Sequence, residues 1–135
     1  MGDVSMITRQ NTKTLYDLVN QAGRLYGDKT FLRYETEGEI REESYERFLQ
    51  DSNAVTAFLE QYCKSSKRLH VALWGGCSKE YLTSFFGIVS GRHVAIPMDP
   101  KLSVEMVCEN LKQIDIFSQI QPYNLFLFCL MKPLF

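Results

Sequence analysis

Metal-ligating and redox chemistry is thinly provided for in these 135 residues, which hold two histidines and four widely spaced cysteines. Cys63, Cys77, Cys108 and Cys129 form no C-x-x-C pair, and His70 and His93 are too few to complete a zinc or iron–sulfur ligand set. No apolar run opens the chain: Met1 to Asn11 contain nothing resembling a signal peptide, so the expectation is a cytoplasmic protein with four reduced, mostly buried thiols. Gly2 follows the first Met, but N-myristoylation wants Ser or Thr where Met6 stands. The densest apolar run, Tyr123 to Met131, is nine residues between Pro122 and Pro133. A membrane-spanning helix needs about twenty. Charge of one sign is lacking too: 15 basic and 16 acidic side chains leave a net charge of -1, which gives no footprint for nucleic acid or an anionic membrane.

What is present is the profile of one soluble globular domain, 45% hydrophobic and 23% charged. The distribution is lopsided. Thirty of the 31 charged side chains precede Ile116, and Ile116 to Phe135 carry only Lys132.

Thr14 is placed to cap a helix whose apolar residues Leu15, Leu18, Val19, Ala22, Leu25 and Tyr26 recur at helical spacing, with Gly27 as its stop. Thr30 to Tyr34 and Glu39 to Glu43, separated by Glu37-Gly38, predict a hairpin with a charged outer face. Ser44 then caps a second helix with a stripe at Tyr45, Phe48, Ser52, Val55, Leu59 and Tyr62. Lys64 to Arg68 reads as a solvated basic connector.

Leu69 to Trp74 is a short apolar run without alternation, as in a strand covered on both faces of a parallel sheet. Gly75-Gly76 closes it. A helix follows from about Ser78 to Ser90, with Gly91 as a left-handed stop, and a second buried strand, His93 to Ile96, is ended by Pro97. Ser103 caps a further helix reaching about Gln113, with Leu102 stapled on Val107. This β-α-β-α pattern requires another parallel strand, expected to begin between Ile114 and Ile120.

Several residues invite a chemical role. Gly75-Gly76, between a strand and a helix N-terminus, can present backbone N–H groups to a phosphate, but it lacks the third glycine of G-x-G-x-x-G and the Lys-Ser/Thr of a P-loop. A tight turn is the expected role. Cys77 stands where a helix dipole favours thiolate, with no partner histidine legible, and is expected to be a small packed residue. His70 and His93, each opening a strand, read as hydrogen-bonded structural residues. Asp99, at the carboxyl edge where open α/β sheets keep functional groups, reads as a turn-setting residue between Pro97 and Pro100. No catalytic, cofactor-binding or metal-binding residue is assigned.

An ordered set of segments resembles a known family. Thr14-Leu15-Tyr16-Asp17-Leu18-Val19, Tyr26 to Leu32, Ser44-Tyr45 with Phe48, Val71-Ala72-Leu73, Phe85-Phe86-Gly87-Ile88 and Val94 to Pro100 are similar to the N-terminal part of AMP-forming adenylate ligases. Their order and spacing look most like bacterial long-chain fatty acid CoA ligases. The resemblance covers about Thr14 to Gln113. It divides the chain into a leader (1–13), a partial AMP-binding ligase region (14–115) and an apolar tail departing from the family (116–135). The fold it implies is α/β: an N-terminal helix and β-hairpin followed by an incomplete parallel βαβα unit.

The resemblance implies carboxylate activation with ATP and magnesium to an acyl-adenylate, then transfer to coenzyme A. In the family that chemistry uses a Ser/Thr/Gly-rich loop ending in Pro-Lys, an acidic magnesium ligand, an Asp on the ribose and a C-terminal-domain lysine. No stretch of this sequence has those surroundings. ATP, magnesium and coenzyme A therefore belong to the full-length family, and this chain is expected to be inactive alone. The tail points to a truncated or frame-shifted reading frame, with a genuine short paralogue as the other reading. Partners under these readings are the remainder of the ligase domain or another protein. A non-catalytic interaction module on the same scaffold is the alternative function, and a small enzyme at the Gly75-Gly76 turn ranks last. Poor solubility is expected from the β-prone window Tyr123 to Met131.

Overall fold

The computed structural model describes residues 6–62, 68–118 and 125–129. Helix α1, Leu15–Tyr26, begins at a capping box: the Asp17 N–H donates to Thr14 Oγ1 at 3.1 Å, and the Thr14 N–H donates to Asp17 Oδ2 at 3.0 Å. Two of the helix's free donors are thereby satisfied reciprocally. Strands β1 (Thr30–Thr36) and β2 (Glu39–Ser44) form an antiparallel hairpin closed by the pair Thr36 and Glu39. Glu37 and Gly38 both have positive φ, 53° and 78°. A two-residue turn of this hand matches the twist of the strands it joins.

Helix α2, Tyr45–Tyr62, follows without a break, its first turn fixed by Ser44 Oγ accepting from the Arg47 N–H at 3.1 Å. Phe48, Ser52 and Leu59 are buried along one stripe, so the spacing legible in the sequence is the packed face. The second half of the chain is β3 (His70–Trp74), α3 (Lys79–Ser90), β4 (Val94–Met98), α4 (Val104–Ser118) and β5 (Leu125–Cys129). The three strands are parallel, in the order β4-β3-β5. The chain thus moves from β3 to one side, then crosses back past β3 to the other. Right-handed crossovers in opposite directions put α3 and α4 on opposite faces of the sheet.

The core reports the same arrangement. Val71 and Leu73 point to the face where Leu59 and Ile88 pack, while Ala72 and Trp74 point to the other, with Met98 and Val107. Leu59, Leu73, Ile88 and Val71 are fully buried, each side chain contributing about 1.5–3 kcal/mol. The expected staple is formed, with half-buried Leu102 packed on the cluster containing Val107.

Four local expectations are corrected. Gly91 has φ -75°, and the left-handed residue at the end of α3 is Arg92, at φ 64°. Room at 91 is tight: a Cβ there would lie 3.0 Å from His93 Cδ2 and from Thr56 Cγ2, so those side chains would have to give way. Pro97 lies inside β4 rather than ending it, paired with Leu73. That is tolerated because β4 is an outer strand and the missing N–H costs no interior ladder bond. Helix α4 runs to Ser118, beyond Gln113, so the third parallel strand begins at Leu125 rather than between Ile114 and Ile120. Finally, Cys77 and Cys108 are exposed free thiols rather than buried ones. Cys63 and the side chain of Cys129 lie outside the described residues.

Candidate functional site

Parallel strands share their polarity, so topology sorts the candidate residues between two edges. Gly75, Gly76 and Cys77 follow β3, and Asp99 follows β4, at the carboxyl edge beside the point where the strand order reverses. His70 opens β3 and His93 immediately precedes β4, at the opposite edge. The fold therefore separates both histidines from Cys77 and Asp99.

At the carboxyl edge the local bonds are structural. Gly75 is buried and Gly76 exposed, with open space where a Cβ would be. Ser78 caps α3, its Oγ accepting from the Tyr81 N–H at 3.1 Å and its carbonyl from the Leu82 N–H at 3.1 Å. Asp99 Oδ1 accepts from the Lys101 N–H at 2.8 Å and its carbonyl from the Leu102 N–H at 3.1 Å, the turn that its sequence context predicts. Cys77 is exposed rather than packed.

At the amino edge His93 is 9% exposed and its Nδ1 accepts from the Leu69 N–H at 3.1 Å. Acceptance at Nδ1 leaves the proton of the neutral ring on Nε2, which has no partner. Burial holds the His93 pKa below its ordinary value, with Glu60 opposing. His93 is thus a neutral structural residue that ties the start of one strand to the next.

Sequence reasoning missed a polar cluster that joins the hairpin, α2 and α3. The Glu43 carboxylate at the end of β2 is buried and paired through Oε2 with Lys79 Nζ, the first residue of α3. Lys79 also reaches Asp51 Oδ2 at 3.3 Å, and Asp51 Oδ1 is 3.1 Å from Arg47 Nε. Burial pulls the Lys79 pKa down, but the Glu43 and Asp51 carboxylates outweigh it and leave it raised. One signal was legible: a lysine in the first turn of a helix opposes the dipole and calls for acidic partners.

Lys79, which begins α3 after the Gly75–Ser78 turn, is held by two carboxylates, and the Asp99 oxygen is engaged with its own turn. Among the described residues no group of three or more His, Cys, Asp or Glu side chains is arranged to hold a metal ion. Nor, among them, is any helix long and apolar enough to cross a membrane.

No family model and no curated protein matches the sequence. Solved structures match the arrangement. The fatty acyl-adenylate ligase of Legionella pneumophila, solved with acyl adenylate and pyrophosphate, superposes with a TM-score of 0.68 at 14% identity, over 92% of this chain and 25% of that one. The N-terminal subdomain of Klebsiella oxytoca NpsA gives 0.66 at 16% identity, over 87% of this chain and 32% of its own. NpsA in complex with 3-hydroxyanthranilyl-AMSN gives 0.67 at 16%, over 88% and 25%. The chain has the N-terminal fold of adenylate-forming ligases. It spans 25% to 32% of these three solved chains. The helix, hairpin and second helix, followed by parallel strands in the order β4-β3-β5, are the part of the adenylate-forming ligase fold that this chain carries.

Proposed function

We propose that this chain is a non-catalytic N-terminal scaffold segment of an AMP-dependent carboxylate ligase. The observation that carries this reading is the structural match to adenylate-forming ligases over 75% to 92% of this chain, with TM-scores of 0.64 to 0.68. Under it, formation of an acyl-adenylate from ATP and passage of the acyl group to coenzyme A depend on groups supplied outside this chain. Those groups must neutralise charge at the α-phosphate and cradle pyrophosphate, and here Lys79 is already neutralised by Glu43 and Asp51. A fatty acid is the substrate class, supported by the ordered segments from Thr14 to Pro100 and by the fatty acyl-adenylate ligase among the similar structures. A cytoplasmic location accords with the exposed free thiols of Cys77 and Cys108.

A second reading, an interaction module, is favoured by one observation. The outer strand β5, Leu125–Cys129, has the low-charge sequence LFLFC, suited to pairing with another chain. Titration of the purified chain with magnesium-ATP, followed by amide NMR, tests the scaffold reading. It predicts no saturable shift at Gly75, Gly76, Cys77 or Asp99 at millimolar nucleotide; saturable shifts there would overturn it.

A further inference from the structure

The outer strands among the described residues differ in what their sequences allow to pair with them. One edge of the parallel sheet is β4, where Pro97 is exposed and has no N–H to donate. In the hairpin, β2 carries Glu39, Arg41, Glu42 and Glu43, and β1 is centred on Arg33. Charges and proline are devices that blunt an edge against pairing. The other edge of the parallel sheet, β5, has neither.

The sequence of β5 also carries a symmetry: LFLFC reads nearly the same in both directions about Leu127. A two-fold axis that pairs an edge strand with its own copy in one sheet makes the two strands antiparallel, and each contact occurs twice. Centred on Leu127, that pairing sets Leu127 opposite itself, Phe126 opposite Phe128 and Leu125 opposite Cys129. Aromatic residues directly opposite one another stabilise an antiparallel pair, whereas like charges there destabilise it. Strand β1 shows the contrast, because self-pairing about its centre would set Arg33 against Arg33. We propose that β5 is a homodimer interface, pairing antiparallel with β5 of a second copy of this chain about a two-fold axis at Leu127. The product is one sheet of six strands, three from each copy. Both of its outer strands are then β4 with Pro97, so association closes at two copies instead of continuing as a filament. The proposal rests on the reading of β5 as an interaction edge and names its partner.

Sedimentation velocity of the full chain over a concentration series tests it, with amide exchange at Leu125–Cys129 followed by NMR on the same samples. A monomer–dimer equilibrium is expected, with exchange in β5 slowing as the dimer forms. Leu127→Lys and Leu127→Glu should each be monomeric alone and should dimerise when mixed. Residues directly opposite in an antiparallel pair have Cα atoms about 4.5–5.5 Å apart, within the span of a disulfide. Leu127→Cys should therefore cross-link to residue 127 of the second copy on mild oxidation, identified by mass spectrometry, and this small change decides the register should the charged variants not fold. A monomer at every concentration, with some β5 amides exchanging freely, would overturn self-pairing and leave the open edge standing. A monomer with every β5 amide protected would overturn the open edge as well. Oligomers without a fixed size, a dimer that does not cross-link at 127, or undiminished dimerisation of folded Leu127→Lys would each overturn the closed two-fold pairing.

Discussion

Gly87 of α3 lies so close to Val55 of α2 that a Cβ on Gly87 would sit 2.5 Å from Val55 Cβ and 2.7 Å from the Ser52 carbonyl oxygen. The same contact carries a hydrogen bond, Thr56 Oγ1 donating to the Gly87 carbonyl at 2.7 Å. The helix–hairpin–helix half and the βαβ half meet along this line. In isolation Ala would favour a helix by about 1 kcal/mol over Gly. Here Gly87→Ala is expected to destabilise by about 1–3 kcal/mol, because overpacking against backbone cannot relax. Gly76→Ala, with open space around the new methyl, should change stability by no more than about 0.5 kcal/mol. Urea unfolding of the two variants against the parent checks both values.

The buried pair of Glu43 and Lys79 joins the hairpin to the start of α3. Lys79→Met leaves the Glu43 carboxylate buried without its cation and should cost about 3 kcal/mol. The double variant Glu43→Leu with Lys79→Met should recover most of that loss, since neither charge then remains to be desolvated. A double-mutant cycle measured by chemical unfolding decides it. The raised Lys79 pKa sets the pH window: its contribution is complete below the ordinary value of 10.5 and is lost as pH rises through the higher folded-state value.

His93 carries the opposite dependence. Its folded-state pKa lies below the ordinary 6.5, so the unfolded chain binds the extra proton first on acidification. Stability should be level above about pH 6.5 and fall as pH drops through the interval down to the folded-state value. Asn at this position can still accept from the Leu69 N–H. His93→Asn is therefore expected to flatten the stability profile just below pH 6.5 while keeping cooperative unfolding. An unchanged slope in that variant would refute the assignment.

Legibility in the sequence followed the range of the interactions concerned. Thr14, Ser44 and Ser103 announced helix starts because capping is local, and Glu37-Gly38 announced its turn because positive φ is a property of two residues. The unbroken apolar run from Leu69 to Trp74 points to a strand covered on both faces, and the two clusters, with Val71 and Leu73 in one and Ala72 and Trp74 in the other, show it. The burial of Glu43 was not legible, since it sits in the polar run Glu39 to Ser44 and is buried only because Lys79, 36 positions later, reaches it. The end of α4 was misplaced because Ile114 and Ile116 are β-branched and lack a local stop signal, so propensity pointed to a strand where the helix continues. At the carboxyl edge, the turn role of Asp99 was legible, while the exposure of Cys77 depended on how α3 leaves the sheet.

Exchange of labelled pyrophosphate into ATP, assayed with the purified chain, magnesium and a series of carboxylates from benzoate to long-chain fatty acids, tests the central claim most directly. The account predicts no carboxylate-dependent exchange above the enzyme-free background. Exchange that depends on a carboxylate and saturates with it would contradict the assignment of this chain as a scaffold without adenylating machinery of its own.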